Sequence, residues 1–433
     1  MLRLSGITQP WSTFVWQSHW FKAFLILAGS SGILSAADES NQLIVSKEQL
    51  AVSLEQAWET SWTRFYRSDT HLFYDYLTSY EDGKWLKHLP TAEEVKRQYP
   101  NECEYGTGME DCMISAGVML SLIVDRFLVT GEESLHEGAY EVFQGIQLCA
   151  TAHGSAGFLA RAVCHEDLKS IYFNSSRDQY THAVHGLWQY ARSPLCNAGI
   201  RKEIGTVVGG IADRMIRNVV PENDYDSLRA DGTRDTRGIS RMWNVNGHEA
   251  ARLPMIYAAA WDVTGKRAYY QLWRKYVADA VRQSFDVEGW QPTYAFLQMQ
   301  MSLELLAEME PDPQLRKQMK QVMATVAQRC AVRADSAYER GTLLDLTEVC
   351  TDWRTGEGIS FESGYRKIWY CIRESGEAAL AQLAADQMFP DEQEELLKRS
   401  ILRLDYDKVS SNGILFLQAA WWKHCARQLG ADD

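Results

Sequence analysis

Several short motifs that mark common enzyme classes are missing from this chain of 433 residues. No glycine-rich nucleotide loop follows a strand, and neither a Gly-x-Ser-x-Gly nucleophile elbow nor a His-Glu-x-x-His zinc helix occurs. The nine cysteines have no Cys-x-x-Cys spacing, which argues against a structural zinc site. We therefore expect neither a metal nor a cofactor. Cys103 and Cys112 are the closest pair and could form a disulfide in an oxidising compartment.

The chain also has no excess of basic residues. The chain has 44 Lys and Arg against 57 Asp and Glu, and a formal net charge of -13. The two signs are interleaved, so no basic stripe exists to neutralise a phosphate backbone. A nucleic-acid partner is therefore not expected. A local group of arginines can still hold one acidic sugar despite the acidic surface.

The apolar run near the N-terminus is short. Lys22 precedes apolar residues 23–28, and small residues up to Ala37 follow before an acidic pair, which is the order of a secretory signal. This run is shorter than the roughly 20 residues of a spanning helix, and no later segment is both long enough and free of charge. A membrane anchor is the alternative. We predict a signal peptide over 1–37, one domain over 38–433 without a stable membrane span, and a secreted or periplasmic location.

Strand-like alternation is scarce, whereas helical spacing is frequent. The segment from Leu54 to Phe65 and the segment from Leu315 to Val326 each place apolar residues at three- and four-residue steps, which is typical of amphipathic helices. By contrast, residues 113–129 and 413–422 are apolar nearly all round, as in helices enclosed by other helices. Two kinds of helix indicate two layers.

A weak internal repeat supports this layering. Thr130-Gly131 and Thr264-Gly265 each follow one helix and precede another, and Ser375-Gly376 is a looser third copy. The pattern predicts twelve helices in six hairpins, near 47–66, 110–129, 133–152, 179–192, 198–219, 248–263, 266–284, 293–308, 313–330, 366–386, 391–404 and 414–428. Long polar loops at 67–109, 153–178, 220–247 and 331–365 should pack over one end of the ring.

The twelve helices, the Thr-Gly joints and the aromatic polar loops together resemble the six-hairpin glycosidase superfamily, and are nearest in style to its unsaturated glucuronyl hydrolases. The resemblance implies an all-α (α/α)6 toroid with its site at one mouth of the ring. The short catalytic motifs of that group are not matched, so no catalytic residue is carried over. The scaffold hosts hydrolases, uronyl hydrolases and polysaccharide lyases, so the resemblance leaves the reaction open.

The densest polar cluster of the chain lies between Asn174 and Trp188. Asp178, His182 and His185 fall on one face of a helix that begins near Asp178. Asp178 is our candidate general acid or base, with His182 as a further catalytic candidate. The alternative is a capped helix with histidines buried in the core. Metal binding by the two histidines lacks an evident third ligand.

A second cluster precedes a buried helix. Glu110 and Asp111 lie in the first turn of this helix, where the helix dipole stabilises carboxylates even without a catalytic role. At the mouth of a ring one of them would face Asp178, and glycoside hydrolysis needs two such carboxyl groups. Candidate substrate-binding residues are Tyr105, Arg161, Arg177, Tyr180, His185, Trp188, Arg237, Trp243, His248 and Glu249.

The leading functional hypothesis is an exported glycoside hydrolase that acts on an oligosaccharide containing a uronic acid. Asp178 and either Glu110 or Asp111 would form the acid/base pair. One alternative is a polysaccharide lyase, in which Arg177 neutralises a uronate and Tyr180 or His182 removes the neighbouring proton. Another is a noncatalytic glycan-binding protein on the same fold.

Overall fold

The computed structural model describes residues 46–287, 289, 291–355, 364–384 and 388–431. These residues belong to one compact unit, 45–433. The predicted signal peptide, 1–37, lies outside the described residues, so the proposed domain boundary at 37 stays a prediction.

The described chain is almost entirely helical, as the sequence predicts. The helices are α1 (Lys47–Thr60), α2 (Ala92–Lys96), α3 (Cys112–Thr130), α4 (Leu135–Thr151), α5 (Arg177–Arg192), α6 (Ala198–Asn218), α7 (Arg252–Thr264), α8 (Arg267–Ser284), α9 (Thr293–Met309), α10 (Pro313–Gly341), α11 (Gly364–Leu383), α12 (Asp391–Leu402) and α13 (Ile414–Ala431). The short strands β1 (Tyr66–Arg67) and β2 (Leu72–Phe73) pair antiparallel in the first loop. All twelve predicted helices are present. Only the five-residue α2 was not expected, and α10 is about three turns longer than predicted because its polar C-terminal part still buries Ala334 and Ala337.

Six helices form a closed inner ring. Each of α3, α5, α7, α9, α11 and α13 contacts the next in this order, and α13 contacts α3 again. The other long helices form an outer layer: α4, α6, α10 and α12 each contact two inner helices, and α8 and α1 pack on α7 and α13. This closure confirms the predicted (α/α)6 toroid and, at the level of the fold, the resemblance to the six-hairpin glycosidases.

Sequence composition explains which helices are enclosed. In α3 nearly every residue from Cys112 to Val124 is buried, in agreement with its uniformly apolar sequence. It is the one helix among the described residues that is long and apolar enough to cross a membrane, but 72% of its apolar window is buried inside the protein. In the outer helix α10 a single stripe is buried, including Leu315, Met319 and Val322, and Asp312 caps its first turn by accepting from Gln314 N.

Two of the three predicted Thr-Gly joints are confirmed. Gly131 and Gly265 end α3 and α7 in the left-handed region, at φ 64° and 68°. The third copy is wrong as a joint, because Gly376 lies in the middle of α11. There a Cβ atom would lie 2.4 Å from the backbone nitrogen of Leu417, so the missing side chain lets α11 and α13 approach closely.

The long loops gather at one end, also as predicted. Each long loop runs from the C-terminal end of an outer helix to the N-terminal end of an inner helix. Because inner and outer helices alternate along the chain, all inner helices point in the same direction. Six inner-helix N-termini therefore share one mouth. All nine cysteines are free, and Cys103 and Cys112 are both buried without forming the disulfide considered from their spacing.

The close contact at Gly376 gives a stability prediction. Gly376→Ala should lower the free energy of unfolding by roughly 1–3 kcal/mol, because the added methyl group overlaps the α13 backbone. Gly210→Ala in α6 is the matched control: its Cβ would meet only Gly157 Cα at 3.8 Å, so the variant should be neutral or up to about 1 kcal/mol more stable. Chemical denaturation measures both. Equal effects of the two substitutions would contradict the packing described here.

Candidate active site at the mouth of the ring

Charged side chains from four inner helices or their leading loops meet at the mouth. Glu110 and Asp111 precede α3 and do not lie in its first turn as predicted, and Asp111 makes no capping hydrogen bond. Asp178 lies in the first turn of α5, and Arg252 is the first residue of α7. Arg366 and Arg373 come from α11. The same alternation that orients the helices brings these distant sequence positions together.

Asp178 is held by an arginine of the next inner helix. Its Oδ1 accepts from Arg252 Nη1 at 2.5 Å, and Arg252 Nη2 donates to Gln298 Oε1 of α9 at 2.6 Å. Burial acts to raise the pKa of Asp178, but the guanidinium groups of Arg252 and Arg177 outweigh it and hold the pKa below its usual range. The Asp178 side chain is still 31% exposed, whereas Arg252 is 1% exposed. Asp178 is thus an ionised carboxylate that a substrate can reach.

Asp111 has a similar arrangement at the start of the neighbouring inner helix, α3. Arg373 Nη1 donates to its Oδ2 at 2.6 Å, and Arg373 Nε donates to Glu377 Oε1 at 2.6 Å. Gln179, the neighbour of Asp178, donates from Nε2 to Asp111 Oδ1 at 3.0 Å. Asp111 exposes 15% of its side chain. The two predicted carboxylates therefore belong to one network that links α3, α5 and α11.

Glu110 has a different environment. Its Oε2 accepts from Gly106 N at 2.8 Å, its Oε1 lies 4.0 Å from Arg366 Nη1, and its side chain is 3% exposed. Burial, reinforced by the negative charge of Asp111, raises the pKa of Glu110 to about 7. Glu110 is therefore largely protonated at slightly acidic pH, whereas Asp178 is not.

A third acidic group, Glu249, lies beside the mouth just before α7. It forms a short ion pair with Arg177, and it completes a capping box with Asn246. His248 Nε2 lies 4.0 Å from Glu249 Oε1. Burial lowers the pKa of His248 despite this carboxylate, which favours the neutral imidazole. Arg177 also donates to the carbonyl of Arg241 at 2.8 Å, so it fixes the loop as well as Glu249.

Arg161 and Tyr105 form one wall of the mouth. Arg161 Nη1 donates to the carbonyl oxygen of Glu110 at 2.8 Å and lies 3.8 Å from Asp111 Oδ1. The guanidinium groups of Arg161 and Arg237 lie 5.2 and 5.6 Å from the centre of the Tyr105 ring. These three predicted residues are therefore brought together with Glu110 and Asp111.

Four other predicted residues lie away from the opening. Tyr180 and His182 are fully buried, and the Tyr180 hydroxyl accepts from Leu159 N at 3.2 Å. Trp188 lies near the opposite end of the ring, where it lines a pocket of about 570 Å³. Trp243 packs edge-on against Tyr276, with ring centres 4.6 Å apart.

His185 points down the axis of the ring. Its Nε2 lies 3.0 Å from Glu304 Oε2, and Lys423 and Arg427 also pair with Glu304. These cations hold the pKa of Glu304 far below its usual range against the effect of burial. The centre of the ring is thus filled by paired side chains.

Sequence reasoning missed the residues that hold the carboxylates. Arg252, Arg373 and Gln298 belong to helices whose other buried residues are mostly apolar, and their partners are 46 to 262 positions away in the chain. A buried arginine in an apolar inner helix is the signal that could have indicated them. Among the described residues, no group of three His, Cys, Asp or Glu side chains is placed to hold a metal ion.

Comparison with known proteins gives structural likenesses only. No family model matches the sequence, and no curated protein matches it in sequence. A crystal structure of a sugar epimerase from a ruminal bacterium is 11% identical, with a TM-score of 0.47 over 85% of this chain and 98% of that one. A D-mannose isomerase is 10% identical, with a TM-score of 0.42 over 89% and 98%. Cellobiose 2-epimerase from Spirochaeta thermophila is 10% identical, with a TM-score of 0.44 over 89% and 99%. No residue of this chain is assigned a role from these likenesses.

The raised pKa of Glu110 predicts a pH-dependent change in stability. Folding raises this pKa from 4.5 to about 7, so the wild-type protein loses stability as pH rises between these values, because the unfolded chain releases the proton first. Glu110→Gln keeps an acceptor for Gly106 N and cannot ionise. At pH 8 it should be roughly 1–3 kcal/mol more stable than wild type, with a much smaller difference at pH 5. Urea denaturation at both pH values checks this, and a difference independent of pH would contradict it.

Proposed function

We propose that this chain is an exported glycoside hydrolase that cleaves an oligosaccharide containing a uronic acid at the mouth of the ring. Asp178 acts as the ionised carboxylate, and Glu110 acts as the general acid. Export rests on the predicted signal peptide alone. The hydrolytic assignment rests on the two carboxyl groups and their surroundings.

One observation carries the proposal: two carboxyl groups on neighbouring inner-helix ends have pKa values displaced in opposite directions. The pKa of Asp178 is lowered by Arg252 and Arg177 against the effect of burial, and that of Glu110 is raised by burial to about 7. Such a separation of pKa values is the arrangement that glycosidases use to keep one carboxyl protonated and the other ionised.

The two groups have complementary roles in hydrolysis. Glu110 donates its proton to the glycosidic oxygen as the bond to the anomeric carbon breaks, and Asp178 either attacks that carbon or takes a proton from the attacking water. Asp111 is more exposed than Glu110, at 15% against 3% of the side chain, and is therefore the alternative acid. Its side chain is already held by the ion pair with Arg373, so we assign it to substrate binding.

Arginines at the mouth support an acidic substrate. Arg366 contacts Glu110 at 4.0 Å and donates to the Tyr370 hydroxyl at 3.0 Å, and Arg161 lies beside Asp111. A sugar carboxylate can accept two parallel hydrogen bonds from one guanidinium group.

Elimination by a lyase mechanism has less support. Arg177 is occupied by Glu249. The two residues expected to remove the proton, Tyr180 and His182, have no exposed surface, whereas the base proposed for hydrolysis, Asp178, exposes 31% of its side chain. A general base must come within hydrogen-bond reach of the proton it takes. The ionised and accessible Asp178 fits hydrolysis better.

Substrates whose leaving groups differ in their need for a proton can distinguish the roles of the two carboxyl groups. Asp178→Asn should lower the rate at least roughly a hundredfold on any substrate found in a panel of uronic-acid glycosides. Glu110→Gln should lose as much on a natural oligosaccharide but stay within about tenfold of wild type on the matching dinitrophenyl glycoside, which leaves without a proton. The measurement is kcat/KM for both substrates, with reducing-end analysis of the products.

The control is Glu102→Gln, which removes a half-exposed carboxylate paired with Arg229 and should leave both rates within about twofold of wild type. The kcat/KM of the wild type should fall above about pH 7, as Glu110 loses its proton, and Glu110→Gln should remove this fall. If Asp111→Asn, rather than Glu110→Gln, is rescued by the dinitrophenyl group, Asp111 is the acid. A product with a new carbon–carbon double bond would refute hydrolysis.

A further inference from the structure

A second pocket lies on the loop-covered side of the ring, outside the carboxylate network. It has a volume of about 600 Å³ and is formed by the first loop together with parts of the loops that precede α5 and α11. Among the described residues, its lining side chains share no hydrogen bond or ion pair with Glu110, Asp111 or Asp178. This side pocket is large enough for one or two sugar rings.

The wall of the side pocket is basic, although the chain as a whole carries a net charge of -13. The charged or titratable residues of its described wall are Arg64, Arg67, Lys87, His165, Arg354 and one acid, Glu166. Glu166 Oε2 accepts from Ala92 N at 2.6 Å, so this carboxylate is directed to a helix end. Cationic side chains therefore outnumber acidic ones in this wall, although each of its arginines pairs with an acid outside it.

The arginines of the wall are held in place by acids that do not line it. Arg67 Nε donates to Asp69 Oδ1 at 3.0 Å, which leaves its Nη1 without a partner among the described residues. Arg354 Nε donates to Glu94 Oε1 at 2.8 Å. Fixed guanidinium groups lose less side-chain entropy when an anion binds.

Lys87 and Trp85 supply the groups that are not yet paired. Within the described part of the chain, no carboxylate lies within ion-pair distance of the exposed Lys87. Trp85 is half-buried, and its indole Nε1–H is a buried donor without a hydrogen-bond partner among the described residues. Buried polar groups are normally satisfied, so an orphan donor in a pocket wall is a place for a ligand oxygen.

We propose that the side pocket is a second carbohydrate site, which binds an anionic sugar unit of a polysaccharide through Lys87, the Arg67 guanidinium group and the Trp85 indole. Anionic sugars carry either carboxylate or sulfate groups, and both chemistries fit a basic wall with an aromatic residue. The site binds without catalysing, so this proposal stands or falls independently of hydrolysis at the mouth.

Native electrophoresis in gels that contain a soluble polysaccharide measures this binding. All proteins carry Asp178→Asn to prevent turnover, and the gels contain polygalacturonate, its carboxyl-reduced neutral form or dextran sulfate. Polygalacturonate should retard the parent protein, and the neutral polymer should not. Trp85→Ala and Lys87→Glu should each raise the dissociation constant for the anionic polymer at least about fivefold.

Lys84→Glu is the matched control, because Lys84 lies three residues away, pairs with Glu81 and does not line the pocket. It changes the net charge as much as Lys87→Glu but should alter the dissociation constant less than about twofold. Thermal unfolding confirms that each variant is folded. Retardation by dextran sulfate alone would assign the site to sulfated sugars. Equal losses in Lys84→Glu and Lys87→Glu, or no retardation by either anionic polymer, would overturn the proposal.

Discussion

Ion pairs between inner helices are the interaction on which the mouth of the ring depends. Arg252 joins α7 to Asp178 of α5, and Arg373 joins α11 to Asp111 at the start of α3. Both arginines are almost fully buried. Removal of either carboxylate would leave a buried guanidinium group without this ion-pair partner, which would cost several kcal/mol of stability. The pairs thus fix the carboxylates while leaving one edge of each open to solvent. Asp178 and Asp111 are thus positioned by buried arginines of other inner helices.

The two proposed catalytic carboxyl groups have opposite electrostatic environments. Where a guanidinium group contacts the carboxylate directly, as for Asp178, the charged form is favoured. Where the nearest cation is 4.0 Å away and a second carboxylate is adjacent, as for Glu110, the neutral form is favoured. Burial and the distance to the nearest arginine together therefore decide which group carries a proton. The stability that Glu110 costs at neutral pH is what its proposed role as an acid would require.

The fold was largely predictable, whereas much of the site was not. Hydrophobic periodicity distinguishes the outer helix α10, which is apolar on a single stripe, from the inner helix α3, which is apolar on all sides. Gly131 and Gly265 were correctly predicted to end helices. The predicted third helix joint at Gly376 was wrong, because a sequence does not distinguish a glycine needed for close helix packing from one needed for a left-handed turn. Glu110, Asp111 and Asp178 do meet at the mouth. Their arginine partners were missed because ring closure, which no local pattern encodes, brings them together.

The charged cluster around Glu304 has a topological consequence. His185, Lys423 and Arg427 converge on this one carboxylate in the centre of the ring, and His182 is fully buried above them. A toroid with its hole filled is a cup and not a tunnel. A polymer cannot be threaded through a cup, so any molecule that enters the mouth must leave by the same opening. Under the proposed hydrolase function, both products would leave on the side from which the sugar enters.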